Sequence, residues 1–340
     1  MNVRRAIRKR LNHRLLILQG KLNRLLGTDG FSEDVSTYKL MLQDNVNTSN
    51  IYQAGKFWAR LNRYHNDIIY GGGLVHLRNQ YFNRTFAGPE PESRQVYRAL
   101  LFLYYKKLIE FDTEGFLKKE SEPLVGGSED QEIFDDHAVS LDFLQSVEEA
   151  YLVRKAWDMA GNTRHPRVIV ELGAGYGRLA YVCRKMMPNC TYVILDLPEA
   201  LTCSASWLSR VLHTDVVPYA KSRTCKDFSR EKLLSEKVWI LGAHQIEALA
   251  EGCADAFVNI YSFAEMPTGS INNYFTHIDK ITRGVFYSKQ RKLEHNIQDG
   301  TSIGKNDYPV KNHWRMLFNQ TTTLYENFFE SAYALNTYHR

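Results

Sequence analysis

The residues best suited to chemistry stand close together. Positions 168–178 read Val-Ile-Val-Glu-Leu-Gly-Ala-Gly-Tyr-Gly-Arg, so Glu171 is followed by glycines at 173, 175 and 177. An apolar run of this length predicts a buried parallel strand. The glycines allow a sharp turn that lies close against a ligand. Leu179 to Met187 predicts the helix that follows. Strand, bare turn and helix N-terminus make a nucleotide-type pocket. A dinucleotide fingerprint needs Gly-x-Gly-x-x-Gly, but position 178 is arginine and the third glycine comes one residue early. An acid at the end of the strand suits a ligand that carries an amino group better than it suits a pyrophosphate.

S-adenosylmethionine (SAM) is such a ligand. Thr191 to Asp196 predicts the next strand, and Asp196 lies 21 residues after Gly175. In doubly wound sheets an acid at about this distance accepts hydrogen bonds from ribose hydroxyls. The plainer alternative is a tight turn in some other α/β domain, with Asp196 capping a helix.

These residues need a scaffold. From Arg167 onward the pattern alternates strand and helix. Strands are predicted at Val168–Glu171, Tyr192–Asp196, Lys237–Gly242, Ala256–Tyr261 and Gly284–Ser288, with a helix over Ile271–Ile281. Thr321–Tyr333 could add an antiparallel hairpin. The stretch 29–150 reads as largely helical: Phe57–Ile69 before Gly71-Gly72-Gly73, Arg94–Glu110 after Gly88-Pro89-Glu90-Pro91, and Ser140–Trp157. The expected organisation is residues 1–28 as a basic amphipathic helix, 29–150 as a helical substrate or lid region, and 151–340 as the cofactor domain.

The chain has 340 residues, 43 basic and 38 acidic. Eight of the basic residues and no acid fall in residues 1–28, leaving 35 basic against 38 acidic elsewhere. Ile7, Leu11, Leu15, Leu18, Leu22 and Leu25 line one helical face of that head. Such a helix can lie on an anionic membrane surface, pack on the protein, or pair with a second copy in a homo-oligomer. No zinc spacing or aromatic–basic RNA motif is present, so no nucleic-acid partner is expected. No run approaches the roughly 20 apolar residues of a membrane span. The N-terminus lacks a secretory pattern, and five scattered cysteines suit reduced thiols. The expected location is cytoplasmic, with membrane-peripheral attachment through the head left open.

Several blocks together resemble a bacterial family of sugar O-methyltransferases within the class I SAM-dependent methyltransferases. They are Glu122-Pro123 with Gly126, the helix start Ser140–Glu149, Glu171–Arg178, Asp196-Leu197-Pro198-Glu199, and Asn259-Ile260-Tyr261-Ser262-Phe263-Ala264-Glu265-Met266. Tyr274-Phe275 and Phe286-Tyr287-Ser288 also fit. The resemblance covers roughly residues 57–330; the glycine block is common to all class I methyltransferases, and the Asn259–Met266 block is the specific one. It implies a Rossmann-like α/β sheet with helices on both faces, plus an N-terminal mainly helical region. It also implies SAM as cofactor and a sugar or glycan hydroxyl as acceptor.

By the same resemblance Glu171, Gly173, Ala174, Gly175 and Tyr176 line the methionine end of SAM. Asp196 holds the ribose, Leu197 packs on the adenine, and the region of His244 and Gln245 meets the adenine edge. Asn259 and Ser262 lie beside the sulfonium. Methyl transfer to a sugar hydroxyl needs alignment and a base. The candidate bases are Glu265, His244, His137 and Glu247, with Glu265 foremost; each could instead be an acid or imidazole fixing its own loop. Asp135 and Asp136 read as a solvated turn. No metal is assigned, since no acidic triplet beyond Glu265 stands out. Two other functions stay open: a methyltransferase for another small-molecule or lipid-linked acceptor, and a non-catalytic SAM-binding partner subunit.

Overall fold

A computed structural model describes residues 33–72, 74, 77, 78, 94–126 and 131–335. The basic head, the Gly88–Pro91 breaker and part of the triple glycine lie outside the described residues. Among those described, the chain forms two compact units, one of residues up to Ser36 with Arg63–Ala150, the other of Thr37–Asn62 with Tyr151–Arg340. Residues 37–62 therefore group with the C-terminal portion rather than with the helical stretch in which their sequence places them.

Helices α1 (Glu33–Val46) and α2 (Lys56–Tyr70) contribute to both units. In the first unit α3 (Arg94–Phe111) packs through Leu101, Tyr104, Tyr105 and Leu108. A short hairpin of β1 (Glu132–Phe134) and β2 (His137–Val139) follows. Asp135 and Asp136 turn it, with φ of 47° and 66°, the left-handed pair typical of a two-residue hairpin turn. Helix α4 (Leu141–Met159) then runs on into the second unit.

The second unit is built on β3 (Val168–Leu172), β4 (Thr191–Asp196), β5 (Val216–Val217), β6 (Val238–Gly242), β7 (Ala254–Ile260) and β8 (Thr282–Arg291). A hairpin of β9 (Leu293–Asn296) and β10 (Thr301–Gly304) follows, then β11 (Arg315–Thr321) and β12 (Phe328–Ala334). Helices α5 (Arg178–Met186), α6 (Pro198–Leu212) and α7 (Thr268–Ile281) intervene. The sheet order is β11-β12-β8-β7-β3-β4-β6-β5. β3 to β8 are parallel, while β12 runs antiparallel to both β8 and β11. Every residue of β3, β4, β6 and β7 is buried, which requires cover on both faces. An antiparallel hairpin exists as β11 and β12, with its first strand ending where the expected Thr321–Tyr333 begins and its second within that stretch but for Ala334; β5 and the β9–β10 hairpin have no counterpart in the sequence reading.

Strands β3, β4 and β6 progress to one side, and the chain then crosses back to place β7 on the other side of β3. Ligands in such sheets bind at this switch, outside the carboxyl ends of the strands. The opposite end is closed by charge. Asp255, near the start of β7, accepts hydrogen bonds from the backbone N–H groups of Arg167 (2.7 Å) and Val168 (3.0 Å), and pairs with Arg230 (2.9 Å) and Arg283 (2.7 Å). Asp255→Ala strands these donors, and a loss of about 3 kcal/mol is expected. Urea unfolding of the variant against wild type checks it.

Candidate functional site

The turn after β3 is held at three points. Gly173, Gly175 and Gly177 have φ of 78°, 61° and 85°, a region that side chains disfavour. Space adds a second constraint: a Cβ at Gly173 would collide with Ser262, and one at Gly177 would approach Leu208 to 2.7 Å. At Gly175 a Cβ would meet nothing within 4 Å, so this is the open side of the turn. The backbone N–H of Gly173 donates to Leu195 (2.9 Å) and that of Gly175 to Asp196 Oδ2 (2.9 Å).

Asp196 ends β4 as expected. Its Oδ1 also accepts from the Leu197 N–H (2.7 Å). Burial raises its pKa to about 7, against the pull of those backbone donors. Each carboxylate oxygen can accept two hydrogen bonds, so this grip on the turn leaves capacity for a further donor. Glu171 is buried and accepts from Tyr192 Oη (2.8 Å). Tyr176 is buried, its ring edge-to-face with Trp207 at 5.0 Å. Ala174 is buried within the turn, and Leu197 is half-buried at the entry to α6.

Asn259 and Ser262 stand at the end of β7 and bond to each other and to neighbouring strands. Asn259 Nδ2 donates to the Leu172 carbonyl (2.9 Å) and to Ser262 Oγ (2.5 Å). Its Oδ1 accepts from Gln290 Nε2 (2.6 Å) and from the Phe263 N–H (3.3 Å). Ser262 Oγ donates to the same Leu172 carbonyl (3.3 Å). The pair ties β7 to the turn. Gln245 is likewise engaged: its Oε1 accepts from the Gly242 N–H (2.9 Å), and Nε2 donates to the Ser222 carbonyl (3.2 Å). His244 follows β6, its pKa lowered by burial and its Nδ1 buried without a partner among the described residues.

Glu265 lies in the short helix after β7. Burial is the main cause of a pKa raised to about 8, with Glu294 and Asp196 adding to it. Trp58 Nε1 donates to its Oε2 at 2.9 Å, and Asn296 Nδ2 donates to its carbonyl at 3.2 Å. Of the other proposed bases, Glu247 is exposed and accepts from Tyr52 Oη (2.7 Å). His137 belongs to the first unit, its Nδ1 3.2 Å from Ser121 Oγ. No group of three or more His, Cys, Asp or Glu among the described residues is placed to hold a metal. No described helix is long and apolar enough to cross a membrane.

Sequence reasoning missed what residues 37–62 do. Tyr38 Oη and Asn62 Nδ2 donate to Glu199, just after β4 (3.0 and 2.8 Å). Asp44 pairs with Arg223 Nε and Nη2 and accepts from Tyr219 Oη (2.9 Å). Asp299 accepts from the N–H groups of Lys56 and Phe57, capping α2 (2.8 and 3.1 Å). The segment thus crosses the carboxyl-end loops of the sheet as a strap. Its acids are ordinary in type, and partners 137 to 243 residues away leave no local signal.

No protein-family model matches the chain, nor does any curated protein sequence. Solved structures with a similar fold include the pyocyanin biosynthetic protein PhzM, at 11% identity over 49% of this chain and 50% of that one, with a TM-score of 0.34. Another is geranyl diphosphate C-methyltransferase from Streptomyces coelicolor A3(2), solved with Mg2+, geranyl diphosphate and S-adenosyl-L-homocysteine (9% identity, 57% and 81% covered, TM-score 0.39). A third is the mitomycin 7-O-methyltransferase MmcR (10% identity, 56% of each chain, TM-score 0.35). The chain thus spans about half the length of the first and third. The fold is a Rossmann-like α/β sheet with helices on both faces, plus an N-terminal mainly helical region among the described residues.

Stability should report the Glu265 carboxyl. Its midpoint is about 8 in the fold against an ordinary 4.5, so the folded state keeps a proton that the unfolded chain releases between those values. Stability then falls as pH rises across that window. Glu265→Gln cannot ionise, so its Tm relative to wild type should be higher at pH 9 than at pH 5, as read by thermal melts at both.

Proposed function

We propose that the chain is a SAM-dependent O-methyltransferase acting on a hydroxyl of a sugar, either nucleotide-linked or part of a glycan. The observation that supports the SAM-dependent part of this reading is the turn: three left-handed glycines at the switch point, open at Gly175 and flanked by the carboxyls of Glu171 and Asp196. Glu171 would attract the amino group of the methionine end, with Tyr192 holding its carboxylate. Asp196 would take the ribose hydroxyls, and Leu197 would offer an aliphatic wall to the adenine. Asn259 and Ser262 would line the pocket beside the sulfonium, held there by their bonds to the turn.

Transfer is an in-line displacement. The acceptor oxygen bonds to the methyl carbon as the carbon–sulfur bond breaks, and S-adenosylhomocysteine leaves. Alignment contributes most of the rate. The hydroxyl proton passes to Glu265, whose raised pKa makes its carboxylate a stronger base than a solvated one. The sugar acceptor rests on the Asn259–Met266 block alone. Incubation with labelled SAM and a panel of nucleotide sugars and glycans tests it, and methylation confined to nitrogen or to non-sugar acceptors would overturn it.

Cofactor binding should follow Asp196. Ribose hydroxyls donate to its ionised form, so SAM affinity should rise as pH passes upward through about 7 and weaken below it. Asp196→Asn should bind SAM about tenfold more weakly or worse, with that pH dependence flattened. Calorimetry at pH 6 and 8 checks both.

The head supports a second reading for location. Eight basic residues without an acid suit an anionic membrane surface. Co-sedimentation with anionic liposomes should be lost when residues 1–28 are deleted.

A further inference from the structure

Trp58 comes to Glu265 from a distant part of the chain, and its placement is over-determined. The strap is pinned on both sides of it, by Tyr52 bonded to Glu247 and by Asn62 bonded to Glu199. Asp299 caps the first turn of α2, one and two residues before the indole. Asn296 then links that cap to the Glu265 loop, donating both to Asp299 Oδ2 (2.9 Å) and to the Glu265 carbonyl (3.2 Å). The β9–β10 hairpin thus fixes donor and acceptor together. The indole N–H takes one carboxyl oxygen, Oε2, at 2.9 Å. The other, Oε1, accepts no hydrogen bond from any described residue. A carboxyl anchored by one oxygen and open at the other is the arrangement that delivers a lone pair to an incoming hydroxyl.

We propose that Trp58 is a positioning residue: its indole N–H holds Glu265 so that Oε1 faces the acceptor hydroxyl. This rests on Glu265 being the base. An indole N–H is a donor only, so it favours the ionised carboxylate and opposes the burial that favours the acid. Removing it should raise the Glu265 midpoint by about one pH unit and free the carboxyl to rotate.

The pair can be tested without an acceptor. Tryptophan emission of the full chain should show a transition near pH 8, absent from both Trp58→Phe and Glu265→Gln. Persistence in either variant, or no transition in wild type, overturns the coupling. If Trp58→Phe fails to fold, Glu265→Gln alone decides. Calorimetry with S-adenosylhomocysteine should give Trp58→Phe an affinity within about twofold of wild type, because the indole is not assigned to the cofactor. Failure of wild type to bind would sink the methyltransferase reading while leaving the titration to judge the pair. With any acceptor that wild type methylates, Trp58→Phe should lower kcat about tenfold and move the rising limb of the pH–rate profile upward, with KM for SAM unchanged. An unaltered kcat and limb would overturn the positioning role.

Discussion

The site depends on one close approach, between the turn after β3 and the end of β7. The Ser262 side chain occupies the space that any Cβ at Gly173 would need, and Asn259 reaches across to the Leu172 carbonyl. Neither arrangement tolerates a shift in register between the two strands. On the far side Asp196 grips Gly175, so β4 sets the same turn from its own end. The glycines therefore serve packing as much as ligand access: Gly173 and Gly177 have their backs against side chains, and Gly175 alone looks into free space. A ligand that uses this turn can come close only there.

Burial on both faces of a parallel sheet sends its polar groups to the two strand ends, and the ends are treated differently. At the amino end Asp255 is neutralised by two arginines and two backbone donors, and its pKa falls despite burial. At the carboxyl end Asp196 and Glu265 form no ion pair with an arginine among the described residues, and burial raises both even though Arg291 pulls Glu265 the other way. Asp196 also raises the cost of ionising Glu265. A cation brought between them would be attracted by both and would lower both midpoints. That is a physical reason for a sulfonium donor, and it uses no likeness to other proteins.

The parallel strands, the glycine turn and the acids at 171 and 196 were legible because their signals are local: an apolar run, a spacing and a terminal acid. Helices such as α3 and α7 were legible for the same reason. Roles within the site were less so. Asn259 and Gln245 carry groups suited to a ligand, but whether an amide faces outward or bonds its own backbone depends on neighbours such as Gln290 and Ser222, which no spacing reveals. The β9–β10 hairpin escaped because it is short, four residues a strand, without an alternating apolar face. The boundary at 150 was read from a change of pattern, and a change of pattern does not show that residues 37–62 pack on the later sheet.

That strap alters how the carboxyl end should be understood. Its anchors are Glu199 after β4, Arg223 and Tyr219 before β6, Glu247 after β6 and Asp299 between β9 and β10. Apart from the buried bonds to Glu199, these anchors are part-exposed polar pairs that contribute little each. Spread over separate loops, though, they fix the segment at several points, and the entropy of ordering it is shared among them. Trp58 sits between two of these anchors and in the first turn of a capped helix, so little further ordering is needed for its indole to meet Glu265. The base is carried by the sheet and its orienting donor by the strap. The proton-accepting geometry therefore requires both to be in place, whereas the contacts described for the glycine turn come from β4, the end of β7 and α6.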